Sequence, residues 1–87
     1  ITPQRPVHVL VIPKGRYVSM DDFTANGSDE EIAALFRAVG DIARDLNLAE
    51  SGYRIIGNTG EHGHQEVMHL HIHLFGGAPS GPMIKRL

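Results

Sequence analysis

The decisive stretch runs from Gln65 to Gly77, QEVMHLHIHLFGG. Side chains alternate across a β-strand, so His69, His71 and His73 project together from one face. Met68, Leu70, Ile72 and Leu74 project from the other. The pattern predicts a strand over Val67 to Phe75, stopped by Gly76 and Gly77, with an apolar back and a histidine-lined front. Imidazoles at every second position make poor core filler, because each ring carries polar nitrogens that need partners when buried. Three readings follow. The row is a solvated strand face by coincidence, which histidine at three successive period-two positions makes a poor account. Or neighbouring imidazoles bind zinc or copper. Or one imidazole attacks an electrophilic centre while its neighbours position or protonate the substrate. Spacing alone does not choose between the last two.

Upstream of this stretch, Asn58 to His64 is a glycine-punctuated loop, preceded by a strand over Tyr53 to Ile56. The two strands are expected to run antiparallel across that loop. Further upstream, Ser28 with Glu31 three residues later forms a capping-box pattern that starts a helix. Ile32, Leu35, Phe36, Val39, Ile42, Ala43 and Leu46 fall on one face of it, and it ends near Asn47 to Leu48. Lys14 to Gly27 carries turn chemistry and reads as irregular. Pro6 to Pro13, PVHVLVIP, is a β-branched run closed by prolines and reads as a buried strand. The tail from Ala78 to Leu87 suits an irregular arm. The sum is an α+β domain: a twisted antiparallel sheet with one long amphipathic helix.

The 87 residues are expected to form one small domain, 1–87, that a partner subunit would help to complete. A formal charge of −2 argues against nucleic acid as a partner. Without cysteine, a disulfide scaffold and thiolate zinc sites are excluded. No stretch is apolar enough to span a bilayer as a helix, and no secretory signal precedes the first strand, so no membrane partner and a cytoplasmic location are expected. The chain opens at Ile1 rather than at methionine and reads as part of a longer polypeptide.

The segment His69-Leu70-His71-Ile72-His73-Leu74-Phe75 resembles the signature of the histidine triad (HIT) family, three histidines alternating with hydrophobic residues. Asn58, Gly60, Gly63, Gln65 and Val67 are similar to that family's asparagine, glycine-rich loop and Gln-x-Val lead-in. Pro6 to Lys14 resembles its upstream strand, with His8 as a fourth histidine. The tail from Gly76 to Met83 is similar to that of bacterial-type members of the Hint branch. The resemblance implies a HIT-like, dimer-forming fold, joined through the central helix and a neighbouring strand, from which the family's N-terminal segment is missing here. It implies that His71 is the nucleophile, forming a nucleotidyl-histidine intermediate, with its other ring nitrogen held by a backbone carbonyl. His73 would contact the phosphate, and His69 and His8 would form a relay behind the nucleophile. Ile1, Asn58, His64, Gln65, Glu66 and Val67 would join His71 and His73 in holding a purine nucleotide. No metal and no cofactor are implied. The activity implied is hydrolysis of purine nucleoside phosphoramidates or related nucleoside monophosphate conjugates, such as those of AMP.

Plainer readings stand beside these roles. By itself His8 is as well explained as a satisfied core histidine. His62 and His64 suit solvated loop positions, Gly60 and Gly63 suit backbone turns, and Asn58 suits an ordinary turn. Lys85 and Arg86 suit a solvated terminus. Two positions depart from the family's commoner residues. Glu66 stands where many members carry serine or threonine, although glutamate also occurs in bacterial-type members. His64 stands where glycine is frequent, and would restrict the loop. Other functions remain open at this level: cleavage of dinucleoside polyphosphates as in the Fhit-like branch, a non-catalytic nucleotide-binding regulator, and a histidine-ligated metal protein.

Overall fold

The computed structural model describes residues 6–78; Ile1 and most of the tail, with Lys85 and Arg86, lie outside them. The order is β1 (Val7–Val11), α1 (Met20–Asn26), α2 (Asp29–Asp45), β2 (Arg54–Gly57) and β3 (Ile72–Gly76). The three strands form one sheet in the order β1-β3-β2, antiparallel throughout. The α+β class and the antiparallel sheet therefore hold.

The long helix forms where the capping box places it. Ser28 Oγ accepts the Glu31 N–H at 3.1 Å, and the Glu31 carboxylate accepts the Ser28 N–H at 3.0 Å. Its other end closes as a Schellman motif. Leu48 N–H donates to the Ala43 carbonyl at 2.8 Å and Asn47 N–H to that of Arg44 at 3.0 Å, with Asn47 left-handed at φ 59°. Leu48 is thereby turned into the core.

A second helix, α1, occupies part of the segment expected to be irregular. Ser19 caps it and Asp21 and Asp22 fill its first turn, so residues that read as turn formers serve as helix-start residues. Phe23 from this helix is fully buried.

The core lies between α2 and one face of the sheet: Leu35, Val39 and Ala43 pack with Val11, Ile72, Leu74, Leu70 and Phe23. The α2 stripe divides, however. Phe36 and Leu46, on the same stripe, stand 48% and 43% exposed.

β3 is shorter than the expected Val67 to Phe75. Val11 and Gly57, the last paired residues of its two neighbours, both pair with Ile72, and the ladder has no partner strand beyond it. The chain before Ile72 bends instead, and the Leu70 N–H goes to the Tyr17 carbonyl at 2.7 Å. Met68 consequently leaves the apolar back and is 62% exposed.

Candidate active site

Residues paired across an antiparallel ladder share a face. His8 pairs with Phe75, and Leu10 and Ile56 both pair with His73. The histidine face is therefore the side of the sheet opposite the core. Ile72 and Leu74, buried beneath, anchor the backbone that carries His73.

Three rings stack on this face. His8 lies 4.3 Å from Phe75 between centroids, and His73 lies 5.7 Å from Phe75 with planes 8° apart. His8 Nε2 and His73 Nδ1 share a hydrogen bond of 2.8 Å. His71 stands edge-on to His73, centroids 4.9 Å apart. His71 Nδ1 lies 2.8 Å from the carbonyl oxygen of His69. A carbonyl only accepts, so Nδ1 must carry the hydrogen, and in the neutral ring Nε2 keeps its lone pair. That arrangement suits a nucleophile.

The structure thus joins His8, His71 and His73 through their rings, and His69 through its main chain. The bond from His8 runs to His73 rather than to His69, whose buried Nε2 has no hydrogen-bond partner among the described residues. Among those residues no three His, Cys, Asp or Glu side chains converge as a metal-holding group.

His73 is held below its ordinary pKa of 6.5, chiefly by burial and then by the nearby charges of His71 and His8. The unfolded chain therefore binds this proton more readily than the folded one. The stability associated with a neutral His73 is present above about pH 6.5 and declines as pH falls through the depressed value. Urea midpoints measured from pH 7.5 downward should fall in that window, and the fall should be smaller in His73→Gln. Equal slopes in the two proteins would rule out this assignment.

Asn58 is half-buried just after β2. It follows Gly57, whose partner Ile72 adjoins His71. His64 is exposed, with a left-handed φ of 58°, a conformation that glycine adopts more readily. Gly60 is left-handed as well, at φ 67°, and a Cβ on Gly63 would collide with the Thr59 backbone. Glu66 and Val67 are exposed, and His62 is solvated. Gln65, expected among the nucleotide-binding residues, commits its carboxamide to main-chain groups. Ile1 lies outside the described residues.

Sequence reasoning missed Phe75 as a site residue, although continuing the alternation two positions beyond His73 would have found it. It also missed the main chain of Tyr17 and Val18, which no local pattern connects to the histidines. A groove of about 350 Å³ between the end of β1 and α2, lined by Val11, Pro13, Glu31, Leu35 and Ala38, contains no histidine.

The model of the HIT domain matches residues 1–80. The chain belongs to the HIT family. An uncharacterized 13.2 kDa HIT-like protein of Azospirillum brasilense is 60% identical over 99% of this chain and 70% of its own length. The purine nucleoside phosphoramidase of Escherichia coli K12 is 42% identical over 97% of this chain and 70% of its own. A crystal structure of a HIT family hydrolase from Legionella pneumophila superposes with a TM-score of 0.77 at 36% identity, covering 88% of this chain and 68% of that one. In this HIT domain the rings of His8, His71 and His73 lie together in one cluster.

Proposed function

We propose that this HIT domain is a hydrolase of purine nucleoside phosphoramidates or related nucleoside monophosphate conjugates, with His71 as its nucleophile. The observation that carries the reading is the hydrogen bond from His71 Nδ1 to the His69 carbonyl, which leaves Nε2 as the attacking atom. The 42% identity to a purine nucleoside phosphoramidase supports the substrate class.

In the first step His71 Nε2 attacks the α-phosphorus, forming a P–N bond. The bond from phosphorus to the leaving amine breaks, and its electron pair departs with the amine nitrogen, which takes up a proton. In the second step water attacks the nucleotidyl-histidine, the P–Nε2 bond breaks, and the monophosphate leaves. His73, edge-on to His71, contacts the phosphate and favours the charge developing there. His8 and the His69 main chain hold these two rings in place. Asn58 and the main-chain amides of Glu66 and Val67 hold phosphate and ribose.

The test is AMP release from adenosine phosphoramidate by chelator-treated protein. Steady release supports the reading. Activity restored only by added zinc would replace it with metal chemistry. Binding of AMP without turnover would point to a nucleotide-binding regulator, and preference for a diadenosine polyphosphate to the other branch.

We further propose a cytoplasmic homodimer without nucleic-acid or membrane partners. Among the described residues no helix is long and apolar enough to cross a membrane. β2 is an edge strand, and Tyr53 and Ile55 at that edge and Phe36 and Leu46 on α2 are exposed apolar side chains that a second copy would cover. Sedimentation should give twice the 9.5 kDa of the chain, and Phe36→Asp should shift the population toward monomer. A monomer at tens of micromolar would refute the assembly.

A further inference from the structure

The loop that leads into the histidine row closes on itself through one residue. Gln65 N–H donates to the Gly60 carbonyl at 2.9 Å, and Gln65 Oε1 accepts the Gly60 N–H at 2.9 Å. This reciprocal pair ties off the four residues between them, which include left-handed His64 and the tightly packed Gly63. The other end of the carboxamide reaches elsewhere. Nε2 lies 2.6 Å from the Val18 carbonyl and 3.1 Å from that of Val67. Rotating the amide by 180° would set NH₂ against an N–H and oxygen against two carbonyls, so the partners fix its orientation.

Both Nε2 hydrogens are therefore used, and Gln65 has no donor left for a phosphate. Val18 is itself pinned on its other side, where its N–H donates to Asp22 Oδ2 at 2.8 Å. One residue earlier, the Tyr17 carbonyl accepts the Leu70 N–H. The segment after β1 is thus stitched to the approach of the histidine row at two successive carbonyls, one by main chain and one by the Gln65 side chain.

We infer that Gln65 is a positioning residue: its carboxamide locks the 60–67 loop to the Val18 main chain and so fixes the backbone that enters the catalytic histidines, without itself touching substrate. The effect on turnover rests on the reading of His71 as the nucleophile; the structural role does not. Supporting groups of this kind act through geometry, and a misplacement of about 1 Å can cost ~10²-fold in activity.

The test uses two variants and two readouts. Gln65→Ala removes every side-chain bond. Gln65→Glu keeps an acceptor for the Gly60 N–H but has no hydrogen for the carbonyls of Val18 and Val67. Amide exchange by NMR should show Gly60 exchanging at least ~10-fold faster in Gln65→Ala but not in Gln65→Glu, with the α2 amides unchanged in both. In the parent, titration with AMP should leave the Gln65 carboxamide protons close to their free positions. With adenosine phosphoramidate, kcat/KM should fall by up to roughly 10²-fold, and at least several-fold, in both variants. A large AMP-induced shift of the carboxamide, with Gly60 exchange unaltered in Gln65→Ala, would overturn the inference and make Gln65 a ligand. If the parent turns over no phosphoramidate, the proposed activity fails, while the exchange data still decide the role of Gln65.

Discussion

Alanine at position 71 should reduce turnover of adenosine phosphoramidate by a factor of ~10⁴ or more while leaving the fold intact. Removing a covalent nucleophile removes the reaction path itself, and a factor of 10⁴ corresponds to about 5.4 kcal/mol of barrier. Little stability goes with it. His71 precedes the paired residues of β3, is only half-buried, and bonds through Nδ1 to a carbonyl two residues away. Truncation there releases no core packing, and its cost should stay below about 1 kcal/mol. His73→Ala should be milder in turnover, about 10²-fold, because it removes a group that steadies charge rather than the attacking atom. Steady-state AMP release and a thermal melt on the same preparations check both statements. A His71→Ala protein within tenfold of the parent would eliminate His71 as nucleophile.

What the sequence disclosed about this fold followed the range of each interaction. The capping box at Ser28 and Glu31 is local, spanning four residues, and α2 starts where it says. The alternation of Leu70, Ile72 and Leu74 against the histidines is local too, and those three are the buried ones. Asp21, Asp22 and Gly27, within the segment from Lys14, were legible only as turn formers. The same residue types start helices and make turns, and the burial of Phe23 that favours a helix is tertiary. The bounds of β3 were hidden for a related reason. They depend on where β1 and β2 stop, and both stop opposite Ile72. Partnership among the histidines depends on register across 65 residues, which sets His8 opposite Phe75 and lets its ring bond diagonally to His73 rather than His69. Gln65 stood out as part of a motif, but its partner Val18 lies 47 residues away, so that hydrogen bond could not be read from its neighbours.

Phe23→Ala should be the most damaging single truncation in the described fold, lowering stability by ~3–5 kcal/mol. Its ring is fully buried. Tyr17 packs on it at 4.9 Å between centroids with planes at 59°, and Gly27 sits so close that a Cβ there would lie 3.2 Å from the ring edge. α1 has seven residues, too few to be helical unaided, so the Ser19 cap and Phe23 together hold it against the core. Small domains retain about 5–15 kcal/mol in total, which makes this loss a large share. Urea unfolding should show the drop, with a fall in melting temperature of ~12 °C or more. A loss below about 1 kcal/mol would mean that α1 contributes no packing. The consequence reaches the site, because Asp22 on α1 bonds the Val18 N–H and Val18 offers its carbonyl to Gln65. If that chain of contacts carries position, Phe23→Ala should lose AMP affinity at temperatures well below its own melting point, whereas affinity constant up to the melt would confine the damage to stability.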